Sequence, residues 1–414
     1  MITLTAPSNI SKCFIQLSGS KSISNRFLIL NQVFHSNLSF SNISDSEDTQ
    51  LLQKAFQKIK NKTREIINVH HAGSDMRFLT ALLSVTEGEW TLTGSDRMKE
   101  RPIGELVEAL KSLGAEITYL ENENFPPLLI QGKKLKGGRI EIDSSVSSQF
   151  ISALLLIAPT LEIGLEIKLK GKTVSRPYID MTTEILKNFG IKLDVSENAI
   201  HVYKSQIADY KFTIAVESDW SSASYWYSIC SLAANAQIEL SFLHKTSWQA
   251  DSILPDLYKD LGVKTTFKLN SIVLTSIKPK LNEFLYDFTN CPDIAQTIAV
   301  TCVGLGIKAS LTGLQTLKVK ETDRLVALKT ELEKFGAEIR ITKDSLQIKS
   351  YSLKPKRLTH TVSTYNDHRM AMSFAPLALV HENLKIDDPS VVTKSYPSFW
   401  EDLKSVGFSV NLQP

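Results

Sequence analysis

The sequence predicts an α/β protein of two domains, assembled from six units of about 70 residues each. Three observations predict it. The 414 residues exceed what a single hydrophobic core usually serves. Hydrophobic residues make up 43% and charged residues 22%, the balance of an ordinary globular protein. Five segments, 110–117, 186–193, 258–265, 332–339 and 403–410, share one pattern: a helix end, a glycine, then a strand. Their glycines, Gly114, Gly190, Gly262, Gly336 and Gly407, lie 71 to 76 residues apart. Each glycine reads as a helix stop in the left-handed region, followed by alternating polarity. A weaker sixth copy around residues 51–68 has lost its glycine. The period is too long for a solenoid repeat, and neither a Rossmann fold nor a TIM barrel predicts it.

The N-terminal residues 1–5 carry no basic region followed by an apolar run, so no secretory leader is expected. The longest apolar stretch, residues 153–159, is too short to span a bilayer. The four cysteines, Cys13, Cys230, Cys291 and Cys302, have no CxxC spacing. They predict reduced thiols in a cytoplasmic protein, without a disulfide framework or a zinc site. A net charge of +3 is too small to point to nucleic acid or a membrane as partner.

The segment Leu17-Ser18-Gly19-Ser20-Lys21-Ser22-Ile23-Ser24-Asn25-Arg26 gathers two cations, four hydroxyls and an amide. Gly19 lets the backbone approach a ligand, and the hydroxyls at 20, 22 and 24 are donors for anionic oxygens. Ser20 is placed to cap a helix through Phe27 and Leu30, aiming free N–H groups at an anion. A nucleotide-binding P-loop is excluded: Ser20 separates Gly19 from Lys21, and no glycine precedes Gly19.

Further cation-bearing turns follow. Ala72-Gly73-Ser74-Asp75-Met76-Arg77 leads into an apolar helix and is a second candidate anion site. Residues 96–104 place Arg97 and Arg101 around a turn closed by Pro102; the plain alternative is a solvated charged loop. Ser147, Ser148 and Gln149 precede a helix as neutral donors. Lys320 and Arg324 are expected at i, i+4 on one helix face, where like charges repel unless an anion lies between them. Tyr365-Asn366-Asp367-His368-Arg369 heads another apolar helix, and Lys394 precedes Ser395. Convergence would gather nine cations: Lys21, Arg26, Arg77, Arg97, Arg101, Lys320, Arg324, Arg369 and Lys394. Buried unpaired cations cost several kcal/mol each, so the set is expected to need compensating ligands, two phosphorylated, carboxylated small molecules.

With these residues in view, the chain resembles the EPSP synthase family, the 3-phosphoshikimate 1-carboxyvinyltransferases. The resemblance covers nearly the whole length. It rests on the start quoted above, on Arg97-Met98-Lys99-Glu100-Arg101-Pro102-Ile103-Gly104, and on Ser147-Ser148-Gln149-Phe150. It continues through Ser175-Arg176-Pro177-Tyr178-Ile179-Asp180, residues 219–225, Pro292-Asp293, Val319-Lys320-Glu321-Thr322-Asp323-Arg324 and residues 365–372.

The resemblance implies an inside-out α/β barrel in two domains, each of three βαβαββ-type repeats, with the active site in the cleft. Domain 1 would comprise residues 1–19 and 219–414, and domain 2 residues 20–218. The implied reaction transfers the carboxyvinyl group of phosphoenolpyruvate to the 5-hydroxyl of shikimate 3-phosphate, releasing phosphate. It is a step toward chorismate and the aromatic amino acids, with no metal or organic cofactor and a monomeric enzyme. By resemblance Asp293 is the base, Glu321 the acid, and Lys21 bridges both substrates. Shikimate 3-phosphate is implied to contact Lys21, Ser22, Arg26, Ser147, Ser148, Gln149, Ser175, Tyr178, Asp293, Thr316 and Lys320. Phosphoenolpyruvate is implied to contact Lys21, Gly73, Arg101, Gln149, Arg324, Arg369 and Lys394. Gly73 keeps the space into which the herbicide glyphosate fits in this family, so inhibition competitive with phosphoenolpyruvate is expected, moderated by Asp75 and Phe78.

The chain departs from the family pattern at Ser18 (commonly proline), His71 (asparagine), Asp75, Phe78 (proline) and Thr316 (asparagine). Asp75 is expected either to pair with Arg77 or to weaken anion affinity. Two rival readings stand. The sister carboxyvinyltransferase acting on UDP-N-acetylglucosamine has Lys-Asn at the start and a loop cysteine as acid. Here Lys21 is followed by Ser22, and no cysteine lies between Cys13 and Cys230. A catalytically inactive anion-binding relative is opposed by the joint presence of Lys21, Asp293 and Glu321.

Overall fold

Glycine stops set the rhythm of the chain. Gly114, Gly190, Gly262, Gly336 and Gly407 all adopt positive φ, between +74° and +99°. Each follows a helix (Gly104–Ser112, Arg176–Asn188, Leu254–Asp260, Arg324–Lys334, Phe399–Ser405). Each is followed by a strand (Glu116–Tyr119, Leu193–Val195, Val263–Phe267, Ala337–Ile341, Ser409–Leu412). After three of the glycines the next N–H reaches back across the stop: Ala115 to Leu110, Ile191 to Leu186 and Phe408 to Leu403. That six-to-one bond satisfies a carbonyl the helix end would otherwise orphan.

The computed structural model describes residues 1–34, 38–61, 65–145, 147–171, 173–205, 213–351 and 360–412. The protein is a mixed α/β chain that divides into two compact units, residues 1–19 with 217–414, and residues 20–216. Glu217 and Ser218, assigned to the other domain on the sequence, belong with the first unit. Ser218 Oγ donates to the Leu17 carbonyl at 3.0 Å and Ser218 bridges Gly19. Glu217 accepts from Trp220 Nε1, the His244 N–H and Gln249 Nε2.

Five four-stranded sheets share one topology: a parallel pair, then two antiparallel partners. In the first unit, one sheet runs Glu283–Asp287, Lys308–Thr312, Leu346–Tyr351, Ala337–Ile341. A second runs Cys13–Ile15, Gln237–Ser241, Ser271–Ser276, Val263–Phe267. The third, Thr361–Val362, Leu384–Ile386, Ile2–Thr5, Ser409–Leu412, is completed by the N-terminal strand. The second unit contains Ile67–Asn68, Gly88–Thr93, Leu128–Gly132, Glu116–Tyr119, and also Gly138–Asp143, Leu165–Lys170, Ala199–Val202, Leu193–Val195. Its remaining described sheet has only two parallel strands, Ser39–Ser41 and Thr213–Ala215.

In each unit, inner helices without a polar face pack together. Nine of the ten residues of Ser148–Ile157 are buried, and it packs on Gly73–Val85, Lys21–Val33 and Arg176–Asn188. In the first unit Ala295–Leu305 packs on Trp220–Leu232 and His368–Phe374. A helix apolar all round is an interior helix, so neighbours cover its sides. The polar residues farther along are hydroxyls bonded inside the bundle, such as Ser152 to Thr182 and Thr301 to Ser228. No described helix is long and apolar enough to cross a membrane.

Candidate active site

Many of the candidate residues lie where helices begin. In the second unit, Lys21 opens the helix Lys21–Val33 and its Nζ meets Asp48 Oδ2 at 2.8 Å. Ser20 holds the cap position and its carbonyl accepts from the Ser24 N–H, but its hydroxyl makes no cap bond and is buried without a partner. Arg26 is buried against the Phe78 ring, 5.3 Å from its centroid. Its guanidinium donates to Thr182 Oγ1, the Ser22 carbonyl, Ser152 Oγ and the Tyr178 carbonyl. Burial lowers its pKa to about 10. Arg26 therefore ties three helices together in this structure, with neutral acceptors rather than a carboxylate.

Gly73 begins the next inner helix, and Arg101 packs directly on it. A Cβ at Gly73 would lie 2.6 Å from Arg101 Nη1 and 2.9 Å from Nη2. Ser74 Oγ accepts from Gln149 Nε2 at 3.2 Å, and Ser147 caps the helix that Gln149 enters. Two helix starts are thereby joined, both offering backbone N–H groups, the arrangement that suits anions. Ser148 is buried beside them. Ser175 precedes the helix Arg176–Asn188 at φ +51°, a strained setting for a residue with a Cβ, and Tyr178 stands in its first turn.

Several expectations are corrected here. Asp75 does not pair with Arg77: residues two apart on a helix do not face each other. Asp75 is buried and accepts from Asn25 Nδ2 at 2.7 Å, while Arg77 donates to the Gly73 and Pro102 carbonyls. Burial, with Arg101 nearby, holds the Arg77 pKa well below its usual value. Arg97 turns to the surface and pairs with Glu100, the plain reading of that charged loop. His71 Nδ1 lies 2.8 Å from Ser95 Oγ.

The first unit gathers the acids. Asp293 lies in the 3-10 turn Pro292–Ile294, immediately before Ala295–Leu305. Arg324, 1% exposed, is held by three carboxylates. Its Nε meets Asp367 Oδ2 at 2.6 Å, Nη2 meets Glu321 Oε2 at 2.9 Å, and Nη1 lies 3.4 Å from Asp293 Oδ1. Burial alone would lower the Arg324 pKa, but Asp367 and Glu321 overcome it and raise the value. Lys394 pairs with Glu321 Oε1, and Arg369 Nη1 donates to the Asp293 carbonyl at 2.9 Å. Arg369 Nη2 lies 3.7 Å from Asp293 Oδ2.

Lys320 and Arg324 do not share a helix face, because the helix begins at Arg324 with Asp323 as its cap. Both approach one oxygen, Asp293 Oδ1, at 3.6 and 3.4 Å. The anion between them is the protein's own. Five of the nine cations, Lys21, Lys320, Arg324, Arg369 and Lys394, are thus met by Asp48, Asp293, Glu321 and Asp367, and these five need no ligand for charge balance. Thr316 Oγ1, in the turn Gln315–Val319, is buried without a hydrogen-bond partner.

A strained turn delivers Asp367 and Arg369. Tyr365 and Asn366 both have positive φ, +54° and +57°. Glu331, fully buried, accepts from the Tyr365 hydroxyl at 2.8 Å and the Ser363 N–H at 3.1 Å. Sequence reasoning missed Asp48, Asp251, Ser221 and Glu331, and gave Asp367 no role. Asp367 and Ser221 stood inside quoted blocks; Asp48, Asp251 and Glu331 sit in ordinary sequence, and only the fold brings them close. Among the described residues no group of three His, Cys, Asp or Glu side chains is set to hold a metal ion.

The family model described as EPSP synthase (3-phosphoshikimate 1-carboxyvinyltransferase) matches residues 59–403. A Bacteroides fragilis 3-phosphoshikimate 1-carboxyvinyltransferase is 45% identical over 410 residues, covering 99% of this chain and 98% of its own. The protein of that name from Vibrio campbellii is 37% identical, covering 95% and 96%. Among solved structures, EPSP synthase from Acinetobacter baumannii superposes with TM-score 0.78 at 21% identity, covering 99% of each chain. The enolpyruvyl transferase NikO from Streptomyces tendae gives 0.77 at 13%, covering 100% of this chain and 99% of its own. The chain belongs to the EPSP synthase family.

Proposed function

We propose that the protein transfers the enolpyruvyl group of phosphoenolpyruvate to the 5-hydroxyl of shikimate 3-phosphate, releasing phosphate. The observation that carries the chemistry is the pair of acids on one guanidinium: Arg324 reaches both Asp293 and Glu321. Addition needs a proton taken from the 5-hydroxyl and another given to carbon 3 of phosphoenolpyruvate, while oxygen attacks carbon 2. Asp293, kept anionic by Lys320, Arg324 and Arg369, is the acceptor. Glu321 is the donor. Before substrate binds, Lys394 and Arg324 favour its ionised form. An anionic substrate that draws those cations away raises its proton affinity, so Glu321 becomes an acid when there is a substrate to protonate. The reverse movements then expel phosphate from the tetrahedral intermediate.

Lys21 bridges the substrates and shares in these transfers. Ser22, Arg26, Ser147, Ser148, Gln149, Ser175, Tyr178, Thr316 and Lys320 hold shikimate 3-phosphate. Gly73, Arg101, Gln149, Arg324, Arg369 and Lys394 hold phosphoenolpyruvate. Helix starts and fixed cations give the preorganised positive field that the developing charges need. The reading requires residues of both units to serve one pair of substrates. It includes a monomeric cytoplasmic enzyme without metal or organic cofactor, and a fold of six βαβαββ repeats in inside-out barrel form. The parallel strands Ser39–Ser41 and Thr213–Ala215 would belong to the sixth.

Phosphate release from phosphoenolpyruvate tests the assignment. Turnover is expected with shikimate 3-phosphate and not with UDP-N-acetylglucosamine. Turnover with the latter alone overturns it, and turnover with neither identifies an inactive relative.

A further inference from the structure

Arg369 is contacted from two sides, and only one has a part in the reaction above. On one side is Asp293. On the other is Ser221, in the first turn of Trp220–Leu232, whose Oγ accepts from Arg369 Nη2 at 3.3 Å. The Ser221 hydroxyl donates in turn to Asp251 Oδ2. Asp251 sits in the 3-10 turn Ala250–Ile253, 4% exposed, and its Oδ1 is buried with no hydrogen-bond partner.

We propose that Asp251 is a positioning residue for the phosphoenolpyruvate end of the site, holding Arg369 through the Ser221 hydroxyl and weakening its hold on an anion whenever Asp251 is charged. The inference rests on the assignment of Arg369 to phosphoenolpyruvate made above. Its geometry is a continuous relay, carboxyl to hydroxyl to guanidinium to Asp293. An ionised carboxylate with one buried oxygen unsatisfied is costly, whereas the neutral acid escapes most of that cost. The charged groups around Asp251 act in the same sense. Burial comes first, then Asp293, with Arg369 and the Ser221 bond opposing and Asp219 adding; together they raise the Asp251 pKa to about 7. The Cys291 thiol nearby, itself raised to about 12, stays neutral.

Below about pH 7 the carboxyl is neutral, and it adds no negative charge to that of Asp293 beside Arg369. Above it a second negative charge stands behind Ser221, pulls the guanidinium back and repels the incoming anion. Affinity for phosphoenolpyruvate therefore falls as pH rises through about 7.

The test is the KM for phosphoenolpyruvate and kcat, each from phosphate release at saturating shikimate 3-phosphate, between about pH 6 and about pH 9. For the wild type KM is expected to rise about tenfold across that range, with kcat changing much less. In D251N the rise flattens, and KM stays near the wild-type value at low pH. Titration of phosphoenolpyruvate itself is common to both enzymes and cancels in the comparison. S221A, with the relay cut, raises KM about tenfold at every pH. A purely structural Asp251 would lower Tm and leave the shape of the profile untouched.

R369K separates the inference from its premise. If R369K raises KM while D251N follows the wild-type profile and S221A keeps the wild-type KM, the relay is refuted and the anion site stands. If R369K leaves KM unchanged, the placement of phosphoenolpyruvate on Arg369 fails, and the relay with it.

Discussion

Replacing Gly73 by alanine isolates the contribution of Arg101. The added methyl group would sit 2.6 Å from Nη1, 2.9 Å from Nη2 and 3.0 Å from Cζ, against ordinary contacts of 3.4 Å or more. The backbone of the helix start cannot yield easily, so the guanidinium must retreat by about 0.8 Å. A charge-assisted bond of about 2.8 Å then opens to about 3.6 Å and ceases to be a hydrogen bond. The loss is ~1.5–3 kcal/mol, a rise of about 10- to 150-fold in KM for phosphoenolpyruvate. Because the lost contact serves binding, kcat should change much less. Alanine is also the better helix former by ~0.5–1 kcal/mol, so Tm should not fall. Steady-state kinetics with each substrate varied in turn, beside a melting curve, measures all three quantities. An unchanged KM for phosphoenolpyruvate, or an equal rise for shikimate 3-phosphate, would show that Arg101 does not hold phosphoenolpyruvate.

Other outcomes follow from the same charges. R324M leaves three carboxylates facing one another around a vacated site and should cost ~3–5 kcal/mol in urea unfolding at neutral pH; a loss below ~1 kcal/mol would show the cluster to be solvated. Asp251 links pH to stability, since its folded pKa of about 7 exceeds the ordinary carboxyl value of about 4. Its contribution is fully present below about pH 4 and is lost progressively as pH rises to about 7, by up to ~4 kcal/mol. D251N should flatten that decline, and parallel wild-type and D251N stability curves would disprove the linkage. Glyphosate should inhibit competitively with phosphoenolpyruvate. D75N should leave the inhibition constant unchanged, because Asp75 is turned inward to Asn25; a marked shift would place its charge within reach of the anion.

The repeat was legible because each helix stop needs a glycine in the left-handed region, and that chemistry is local. The helix starts were legible for a similar reason: hydroxyls and cations gathered at Lys21, Gly73, Ser147 and Arg369 have no folding purpose in an apolar helix. Charge balance was not legible. Asp48 lies 27 residues from Lys21, and Asp367 lies 43 from Arg324, so neither pairing leaves a local trace. The same limit hid Asp251 and Glu331, whose roles arise only once other strands and helices are packed beside them. Arg97 and Arg101 show the converse: four residues apart, Arg97 in the short helix Asp96–Lys99 pairs with Glu100 at the surface, and Arg101 just past that helix packs on Gly73.

The proposed reaction is addition followed by elimination, with a proton delivered to carbon 3 of phosphoenolpyruvate. Running the reaction with both substrates in deuterium oxide and reading the vinyl hydrogens of the product by NMR tests it most directly. Protonation from solvent converts the methylene to a methyl group carrying one deuterium, and elimination then removes one of its three hydrogens. The expected product carries deuterium at that methylene and is formed far more slowly by E321Q. Full turnover with no deuterium there would contradict it.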